Sequence, residues 1–450
     1  MLELRFDRGT LVATSDDSLD PSTWPLLVRD PRDETYRAPA ACLLELEREA
    51  RARGHDAAFV GARTEALEWC APPPLRPYQE AALAAWEAAD RNGVVVLPTG
   101  AGKTRLAIAA IARMGRSTLV LVPTRVLLQQ WVSALHSAGF DEVGRLGDGE
   151  RDIRPLTVAT FESAFRSMAR IGDRFELLVV DEVHHFGLGA RDEVLAMCAA
   201  RARLGLTATP RVQAEPGASG MPLVGPVVFE VGLSELVGTH LAPYERLVIP
   251  VGLDEAEARA YASAASRFDA ARRSVAGALH EGTYAELVAV LRRSESGRKA
   301  LLAQARARRI VESAAEKTRV LERLLARHRD DRVLVFTATA DGAYEVARHF
   351  LVAPLTSEIG RSERSAMLAR FEAGSVRVLV SPQVLNEGLD VPEADVAIVL
   401  ASSRGVREHL QRVGRVLRAR PGKRAMVYEI VCRGTHEIAQ ATRRGHALAA

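Results

Sequence analysis

The residues best suited to chemistry lie in a glycine-rich segment, residues 98–104, with the sequence PTGAGKT. It follows an apolar run and precedes a helical stretch, although Leu97 stands where the strict phosphate-loop pattern begins with glycine. Such a turn surrounds a phosphate with backbone N–H groups, and the N-terminus of the following helix adds a positive partial charge. We therefore predict a nucleotide site in which Lys103 reaches the phosphates and Thr104 binds Mg²⁺. The remaining residues of the cradle are Thr99, Gly100, Ala101 and Gly102.

The acidic pair Asp181 and Glu182 follows another apolar run and is itself followed by Val183 and two histidines. Because a carboxylate at the carboxyl end of a buried parallel strand faces the same crevice as a phosphate loop, the pair is expected beside Lys103. We expect Asp181 to hold Mg²⁺ and Glu182 to orient and deprotonate the attacking water. His184 is interpreted as a link between the nucleotide and the nucleic-acid-facing loops, and His185 as structural or incidental.

Hydroxyl and amide side chains near these loops are predicted to sense and select the nucleotide. Thr207 and Thr209, in the segment GLTATP, are expected to hydrogen-bond the acidic loop and to change partner with the nucleotide. Upstream of the phosphate loop, Gln79 in the segment RPYQ carries an amide that can bind the N6/N7 edge of adenine, as it does in DNA. With Arg76 or Tyr78 stacked on the base, this contact would select ATP over GTP.

A basic segment near the C-terminus, QRVGRVLR, carries two arginines at helical spacing. Arg415 and Arg418 lie three residues apart, which puts them on one face of a helix, where they are predicted to act as arginine fingers. A solvated basic helix is the alternative in so arginine-rich a chain. Gly388 and Asp390 favour the catalytic interpretation, because they suit a loop at a lobe interface with Asp390 near the ribose. Gln411 is counted with the cofactor-binding residues, and the site would be shared between two lobes.

Length and composition suit a multidomain chain. The 450 residues exceed one ordinary domain, and the hydrophobic content of 48% is sufficient for several cores. The net charge of +3 neither requires nor excludes nucleic acid, because a local basic stripe can bind phosphates. No run approaches the ~18 apolar residues of a membrane helix, and the N-terminus lacks a signal-peptide pattern. The four cysteines form no CxxC pair, so neither zinc nor disulfides are expected, and a cytoplasmic location is predicted.

The pattern along the chain predicts four segments. Residues 1–70 mix short alternating stretches with a helical pattern, and a proline run separates them from residues 71–245. Residues 246–325 are predicted to be mainly helical, and strand-like runs resume in 326–450. Continuous Val- and Leu-rich runs separated by amphipathic stretches predict buried parallel strands, so the fold class is α/β. In the second segment these runs are 94–97, 118–122, 177–180 and 203–207; in the fourth they are 332–336, 376–380, 396–400 and 425–430.

Nine ordered segments, from Leu75 to about Ile430, resemble the helicase motifs of superfamily 2. They read RPYQ, PTGAGKT, VPTRVLLQQW, ATFESA, DEVHH, GLTATP, VLVF, LNEGLDVP and QRVGRVLR. Within that superfamily the chain is most similar to the XPB group, because its acidic box reads DEVH. Residues 30–38, DPRDETYRA, also resemble the segment DxRTxxYRA of the XPB damage-recognition domain.

The resemblance implies two RecA-like parallel-sheet domains, a helical thumb-like insert at 246–325 and a small N-terminal α+β damage-recognition-like domain. It implies an ATP- and Mg²⁺-dependent translocase, stimulated by double-stranded DNA, with 3′-to-5′ helicase polarity on duplex and forked DNA in repair. XPB proteins carry an Arg-Glu-Asp element after GLTAT, whereas residues 210–215 here read PRVQAE. That departure bears on strand separation more than on ATP hydrolysis.

Three other functions compete with this one. The first is a motor subunit of a restriction or phage-defence complex, with a separate nuclease partner. The second is an RNA helicase, against which the DEVH box and the N-terminal domain argue. The third is a non-catalytic nucleic-acid scaffold, against which the intact Lys103, Asp181, Glu182 and Arg418 argue. No oligomeric state is predicted.

Contacts with DNA are predicted on the sugar-phosphate backbone, because a tracking motor must be indifferent to base sequence. The candidates are Thr124 and Arg125 in VPTR, Thr160 in ATFESA and Thr337 after VLVF. The helical insert carries further basic residues that could line a duplex, with a solvated charged face as the alternative. They are Arg292, Arg293, Arg298, Lys299, Arg306, Arg308 and Arg309.

Overall fold

The structure, a computed structural model, describes residues 1–15, 24–32, 34–62, 66–67, 73–186, 192–208, 223–238, 240, 243–279, 283–356, 358–382, 394–401 and 425–449. The chain forms two compact units, the first spanning Met1–Glu235 and the second beginning at Leu236. Each unit contains a mainly parallel sheet with helices between its strands, which confirms the α/β class. Within the described ranges, no helix has the length and apolarity that a membrane crossing needs.

A small α+β domain opens the first unit. Arg8 and Gly9, with φ of 49° and 88°, form the two-residue turn of its first hairpin, as the strand twist favours. Leu4, Leu11 and Leu46 belong to the buried core between sheet and helix. Its described elements are β1 (Leu2–Asp7), β2 (Thr10–Ser15), β3 (Val28–Arg29), β4 (Tyr36–Pro39), α1 (Leu43–Ala52) and β5 (Ala57–Val60). The sheet order is β3-β4-β2-β1-β5, antiparallel except for the β1–β5 pair.

The segment that resembles the damage-recognition motif is held by ion pairs inside this domain. Asp30, which is buried, accepts hydrogen bonds from the backbone N–H of Arg32 at 3.0 Å and from its guanidinium at 2.7 Å. The guanidinium of Arg37 contacts Asp30 at 3.2 Å and Asp7 at 2.8 Å. The side-chain and backbone hydrogen bonds from Arg32 hold the pKa of Asp30 well below its usual range. Charged residues of this segment therefore stabilise the domain's own fold.

The rest of the first unit is an eight-stranded sheet, counted over the described residues, in the order β13-β6-β12-β11-β7-β10-β8-β9. All neighbouring pairs are parallel except β8–β9. Its elements are α2 (Pro77–Ala88), β6 (Asn92–Val96), α3 (Lys103–Met114), β7 (Thr118–Val122), α4 (Arg125–Ser137), β8 (Gly144–Gly147), β9 (Glu150–Asp152), β10 (Leu156–Thr160), α5 (Phe161–Ile171), β11 (Leu177–Asp181), α6 (Glu193–Ala196), β12 (Ala202–Thr207), β13 (Val227–Glu230) and α7 (Leu233–Leu236).

The strands predicted from apolar runs are confirmed as β6, β7, β11 and β12. Of these, β7, β11 and β12 are buried at every residue, as expected for a parallel sheet covered on both faces. The edge strands β9 and β13 and the neighbouring β8 were not predicted, because they are short and partly polar. Strand β10, LTVAT, was also missed, since its two threonines interrupt the apolar run.

The small N-terminal domain packs against the segment between α6 and β12. Glu47 of α1 forms a two-point ion pair with Arg201, with N–O distances of 2.5 and 3.1 Å. The Arg201 guanidinium also lies 5.4 Å from the ring centroid of Phe59. A Cβ on Gly9 would meet the Met197 side chain at 2.5 Å, so the hairpin turn approaches this segment closely. The contacts fix the N-terminal domain to the sheet that carries the glycine-rich loop.

Arg203, on β12, is a buried residue that hydrogen-bonds the backbone of the segment between α6 and β12. It is 5% exposed, and its guanidinium donates to four backbone carbonyls. The acceptors are the oxygens of Leu195 at 3.1 Å, Cys198 at 2.5 Å, Ala200 at 3.3 Å and Leu223 at 2.6 Å. Buried carbonyl groups need hydrogen-bond donors. The Arg203 side chain supplies these donors to carbonyls that form no hydrogen bonds within the sheet.

Replacing Arg203 by methionine should lower the free energy of unfolding by about 3 kcal/mol or more, because it leaves several buried carbonyls without donors. Arg170→Met, on an exposed position of α5, is the control and should change it by less than about 1 kcal/mol. Urea unfolding followed by circular dichroism measures both. Equal stabilities of the two variants would contradict the assigned role.

The second unit contains a six-stranded parallel sheet in its described part, in the order β14-β19-β18-β15-β17-β16. The strands predicted at 332–336, 376–380, 396–400 and 425–430 are confirmed as β15, β17, β18 and β19. Its elements are β14 (Tyr244–Val251), α8 (Glu255–Ser274), α9 (Tyr284–Arg292), α10 (Glu295–Glu312), α11 (Ala315–Arg327), β15 (Val333–Thr337), α12 (Ala340–Phe350), β16 (Ala353–Pro354), α13 (Arg361–Glu372), β17 (Val378–Pro382), β18 (Val396–Val399), β19 (Ala425–Cys432) and α14 (His436–Ala449).

Both predicted boundaries of the helical insert fall inside elements of this unit and are wrong. The boundary at 245/246 cuts β14, which pairs with β19 along its whole length, from Tyr244 with Ala425 to Val251 with Cys432. This strand was missed because it is half exposed, its apolar run contains Pro250, and its partner lies far along the chain. The boundary at 325/326 cuts α11, whose Leu321 and Leu324 belong to the core of the second sheet. The helices α8 to α10 lie within the predicted range, and their role as an insert stays a prediction.

Candidate nucleotide-binding site

The glycine-rich loop joins the end of β6 to the start of α3, as its sequence predicts. Gly100 and Gly102 adopt φ of 86° and 78°, in the left-handed region that favours glycine. Gly102 caps α3, and Lys103 is its first residue. The first N–H groups of a helix have no partner within it, so this turn presents donors and a positive partial charge to an anion. The Lys103 ammonium donates to the carbonyl of Leu97 at 3.2 Å.

Gln79 supports this loop through its carboxamide. The side chain is 1% exposed, and its Nε2 donates to the carbonyls of Ala101 at 2.9 Å and Gly102 at 3.1 Å. Its Oε1 accepts the backbone N–H of Arg76 at 2.9 Å, and the Tyr78 hydroxyl adds a bond to the carbonyl of Ala101 at 2.8 Å. A Cβ on Gly102 would lie 2.5 Å from Nε2, so the contact depends on glycine. Gln79 therefore positions the loop, a role the sequence pattern missed, and the adenine contact stays a prediction.

The acidic pair stands at the carboxyl end of β11. Asp181 is 6% exposed, and its two oxygens accept hydrogen bonds from the Trp131 indole N–H at 2.8 Å and from the Glu182 backbone N–H at 3.0 Å. Glu182 adopts φ of 52°, which is uncommon for a residue with a side chain and marks a constrained turn. The strand order β6-β12-β11 puts the glycine-rich loop, Thr207 and Asp181 at one edge of the sheet.

Burial and neighbouring charges separate the pKa values of the two carboxyl groups. Burial, together with the adjacent charge of Glu182, raises the pKa of Asp181 to about 6, against the lowering effects of Trp131 and Lys103. Burial also acts to raise the pKa of Glu182, but the close approach of the His184 ring and the charge of Lys103 outweigh it and lower the pKa. The Lys103 charge therefore acts on both carboxylates, as the sequence analysis expects.

His184 lies between Glu182 and the end of β12. Its Nδ1 is 3.2 Å from the Thr207 hydroxyl and 3.3 Å from Glu182 Oε2. Within the part of the chain that the structure describes, Oε2 of Glu182 is buried without a well-formed hydrogen bond. The structure thus brings Glu182, His184 and Thr207 together, and their coupling role stays a prediction.

ATP and Mg²⁺ fit the residues that meet here. A buried carboxylate oxygen with a free acceptor site, on Glu182, suits an attacking water, and Lys103 and the helix N-terminus suit phosphate. Among the described residues, no group of three or more His, Cys, Asp or Glu could hold a metal ion alone. Mg²⁺ commonly binds through one or two carboxylates plus substrate phosphates, so Thr104 and Asp181 would hold it together with the nucleotide.

The threonines predicted to contact DNA in the first unit cap two helices at the same sheet edge. Thr124 precedes α4 and accepts the backbone N–H of Leu127, and Thr160 precedes α5 and accepts that of Ser163, both at 3.3 Å. Helix N-termini with capping hydroxyls are suited to phosphate. Arg125 is exposed and lies 3.3 Å from a carboxylate oxygen of Asp148.

In the second unit the corresponding residue is Thr339, not Thr337. Thr337 is 1% exposed, and its hydroxyl donates to the carbonyl of Thr339 at 2.9 Å. Thr339 is exposed, precedes α12 and accepts the backbone N–H of Gly342 at 3.1 Å, as Thr124 and Thr160 cap their helices. The sequence pattern located the end of the strand but not the first turn of the helix. Thr339 therefore joins the candidates, and the DNA contact of Thr337 stays a prediction.

The remaining predicted site residues lie outside the described residues, and their roles stay predictions. They are Thr209, Gly388, Asp390, Gln411, Arg415 and Arg418. Segment 210–215, where the Arg-Glu-Asp element is replaced, lies outside as well.

Comparison with known proteins identifies the family. Residues 73–212 match the family model "Type III restriction enzyme, res subunit", and residues 316–420 match "Helicase conserved C-terminal domain". The DNA 3'-5' translocase XPB2 of Sulfurisphaera tokodaii is 33% identical over 378 residues, covering 82% of this chain and 84% of that protein. The chain belongs to the XPB family of helicases.

Two bacterial XPB proteins are similar over the same share of the chain. The DNA 3'-5' helicase XPB of Kineococcus radiotolerans is 31% identical over 394 residues, and that of Mycobacterium tuberculosis is 30% identical over 392 residues. Each match covers 83% of this chain but only 63% and 64% of those proteins. The XPB-family chain thus spans slightly less than two thirds of its bacterial relatives.

Replacing Asp181 by asparagine in this XPB-family protein should stabilise the nucleotide-free state at pH 8 by about 1–3 kcal/mol. With the pKa raised to about 6 on folding, the buried charge destabilises the folded state fully above pH 6 and not at all below the unfolded pKa. The gain should therefore grow from pH 4 to pH 6 and stay level above it. Urea unfolding of both proteins at several pH values, without Mg²⁺, measures the difference. A variant that is less stable at pH 8 would show that burial does not strain this carboxylate.

Proposed function

We propose that this protein hydrolyses ATP with Mg²⁺ and uses the free energy to translocate on duplex DNA with 3′-to-5′ polarity, opening it during DNA repair. The supporting observation is the meeting of Lys103, Asp181, Glu182 and His184 beside a phosphate-binding turn, in a chain of the XPB family. The relatives' printed activities, DNA 3'-5' translocase and helicase, supply the substrate and polarity.

The residues of the first unit divide the chemistry among them. The backbone N–H groups at the start of α3 and the Lys103 ammonium bind the phosphates. Thr104 and Asp181 would hold Mg²⁺, whose charge would neutralise that of the phosphates. Glu182 has a lowered pKa, so it is a carboxylate at neutral pH and can accept a proton from the attacking water. His184 and Thr207 then change their hydrogen bonds when the protonation of Glu182 changes, since Nδ1 of His184 lies close to both the Thr207 hydroxyl and Glu182 Oε2.

DNA is proposed to bind along helix N-termini that follow parallel strands. Thr124, Thr160 and Thr339 share this position, and donors at such termini read phosphate and not bases. Contact with the backbone alone suits an enzyme that tracks along any sequence. A separate nuclease partner, forked substrates and a cytoplasmic location belong to the proposal as well.

ATP hydrolysis by the purified protein should be stimulated by duplex DNA. Glu182→Gln should lower kcat by about 10²–10⁴-fold, because its amide cannot accept the proton, and Lys103→Ala should abolish nucleotide binding at micromolar concentrations. Glu150→Gln, half exposed on β9, is the control and should hydrolyse ATP normally. A phosphate-release assay with no nucleic acid, duplex DNA, single-stranded DNA and RNA makes the measurement.

Two results would contradict the proposal in different ways. Stimulation by RNA alone would overturn the choice of DNA as the track. Undiminished hydrolysis in both Lys103→Ala and Glu182→Gln would overturn the assignment of the site.

Arg125→Ala should weaken duplex binding similarly for unrelated sequences and reduce the slope of log K against log salt by about 1, because one phosphate contact is lost. Arg113→Ala, on α3 and paired with Glu80 and Glu87, is the control for a removed arginine charge. Fluorescence anisotropy at four salt concentrations measures the slopes. Identical slopes for wild type and Arg125→Ala would remove this residue from the proposed contacts.

A further inference from the structure

Helix α4 connects a proposed DNA contact with the acidic pair. It begins at Arg125, directly after the capping Thr124, and its first turns are tied to the β8–β9 turn. There the carboxylate of Asp148 accepts from Arg125 at 3.3 Å and from Gln129 at 3.4 Å. Trp131 follows Thr124 by about two helical turns and points its indole N–H at Asp181. Helix α4 thus contains both the proposed contact with the DNA backbone, at its N-terminus, and the Trp131 side chain that contacts the acidic pair.

The hydrogen bond between Trp131 and Asp181 is buried, and in it Trp131 can only be the donor. Trp131 is 1% exposed and Asp181 6%, and Nε1 lies 2.8 Å from Oδ2. The indole is a donor only, so it needs an acceptor, and an ionised carboxylate makes this hydrogen bond stronger than a neutral acceptor would. The Glu182 backbone N–H holds the other oxygen, Oδ1, at 3.0 Å. With a donor on each oxygen, the carboxylate plane of Asp181 is held in one orientation.

Trp86 shows what a purely structural indole does in the same unit. It is also 1% exposed, but its Nε1 donates to a backbone carbonyl, that of Arg203, at 2.9 Å. A carbonyl satisfies a buried indole without involving a charged group. Trp131 donates instead to the side chain that is proposed to hold Mg²⁺, and groups that hydrogen-bond metal ligands commonly change metal affinity 10–100-fold when removed.

We propose that Trp131 is a positioning residue that orients Asp181 for Mg²⁺ and transmits displacement of α4 by DNA to the nucleotide site. The inference rests on the proposed function, because it takes Asp181 as the Mg²⁺ ligand and the N-terminus of α4 as a DNA contact. Two physical facts support the transmission. The helix is continuous from its cap at Thr124 through Trp131, and the Trp131 indole donates directly to Asp181 of the acidic pair.

Trp131→Phe removes the donor and keeps most of the buried ring, and Trp86→Phe is the matched control. Binding of a fluorescent ADP analogue is measured while Mg²⁺ is titrated, with and without duplex DNA. In Trp131→Phe the Mg²⁺ concentration at half-saturation should rise 10–100-fold, and the effect of DNA on nucleotide affinity should disappear. In Trp86→Phe both should equal those of the wild type. Circular dichroism verifies that both variants are folded.

A double-mutant cycle tests whether Trp131 acts through Asp181. In an Asp181→Asn background, adding Trp131→Phe should leave nucleotide binding unchanged, because the carboxylate is already absent. Independent, additive losses would overturn the inference. If Trp131→Phe does not fold, the inference is tested instead by the ¹H–¹⁵N spectrum of the indole N–H groups in the Trp86→Phe protein. The resonance displaced by Asp181→Asn should also shift on addition of Mg²⁺ and ADP, and its failure to shift would overturn the inference.

Failure of the inference and failure of the proposed function give different results. If Trp131→Phe matches Trp86→Phe in Mg²⁺ dependence and DNA effect while the wild type is stimulated by DNA, only the inference is overturned. If the wild type shows no DNA-stimulated hydrolysis, the proposed function is overturned, and the inference is overturned with it.

Discussion

Three neighbouring parallel strands, β6, β12 and β11, end side by side at one edge of the first sheet, and the candidate site depends on this constraint. The strands are adjacent in space but are separated along the chain by other elements of the unit. Their ends bring the glycine-rich loop, Thr207 and Asp181 together without any loop having to span the site. The parallel ladder requires crossover helices, and these same helices begin with the termini suited to phosphate.

The site is assembled at a cost in stability that its neighbours offset. Asp181 is a buried carboxylate with a raised pKa, and Glu182 adopts a left-handed backbone conformation. Both features are unfavourable in the folded state alone. The Trp131 indole stabilises the carboxylate of Asp181, the His184 ring stabilises that of Glu182, and the Lys103 charge stabilises both. The candidate site thus combines two strained features with neighbouring groups that offset their cost.

The N-terminal domain is joined to the same sheet by a different set of contacts. Glu47 and Arg201 form an ion pair across the boundary, and Arg203 holds the turn that carries Arg201 through backbone carbonyls. This turn lies between the acidic loop and β12. A displacement of the N-terminal domain would therefore act through Arg201 and this turn on β12, the strand that ends at Thr207.

The sequence alone determined the α/β class and the strands that form continuous apolar runs. It also predicted the residues of the candidate site, because those residues lie within a few positions of strand ends and their types follow from phosphate chemistry. The tertiary structure decided the strand pairings and side-chain contacts between residues that are far apart in the sequence. It assigned β14 to the second sheet through β19, since the local sequence of a half-exposed edge strand does not show which distant strand it pairs with. It turned Gln79 towards the loop carbonyls, and it joined Trp131 to Asp181 across 50 positions, contacts that only the packing of α2 and α4 against the sheet creates.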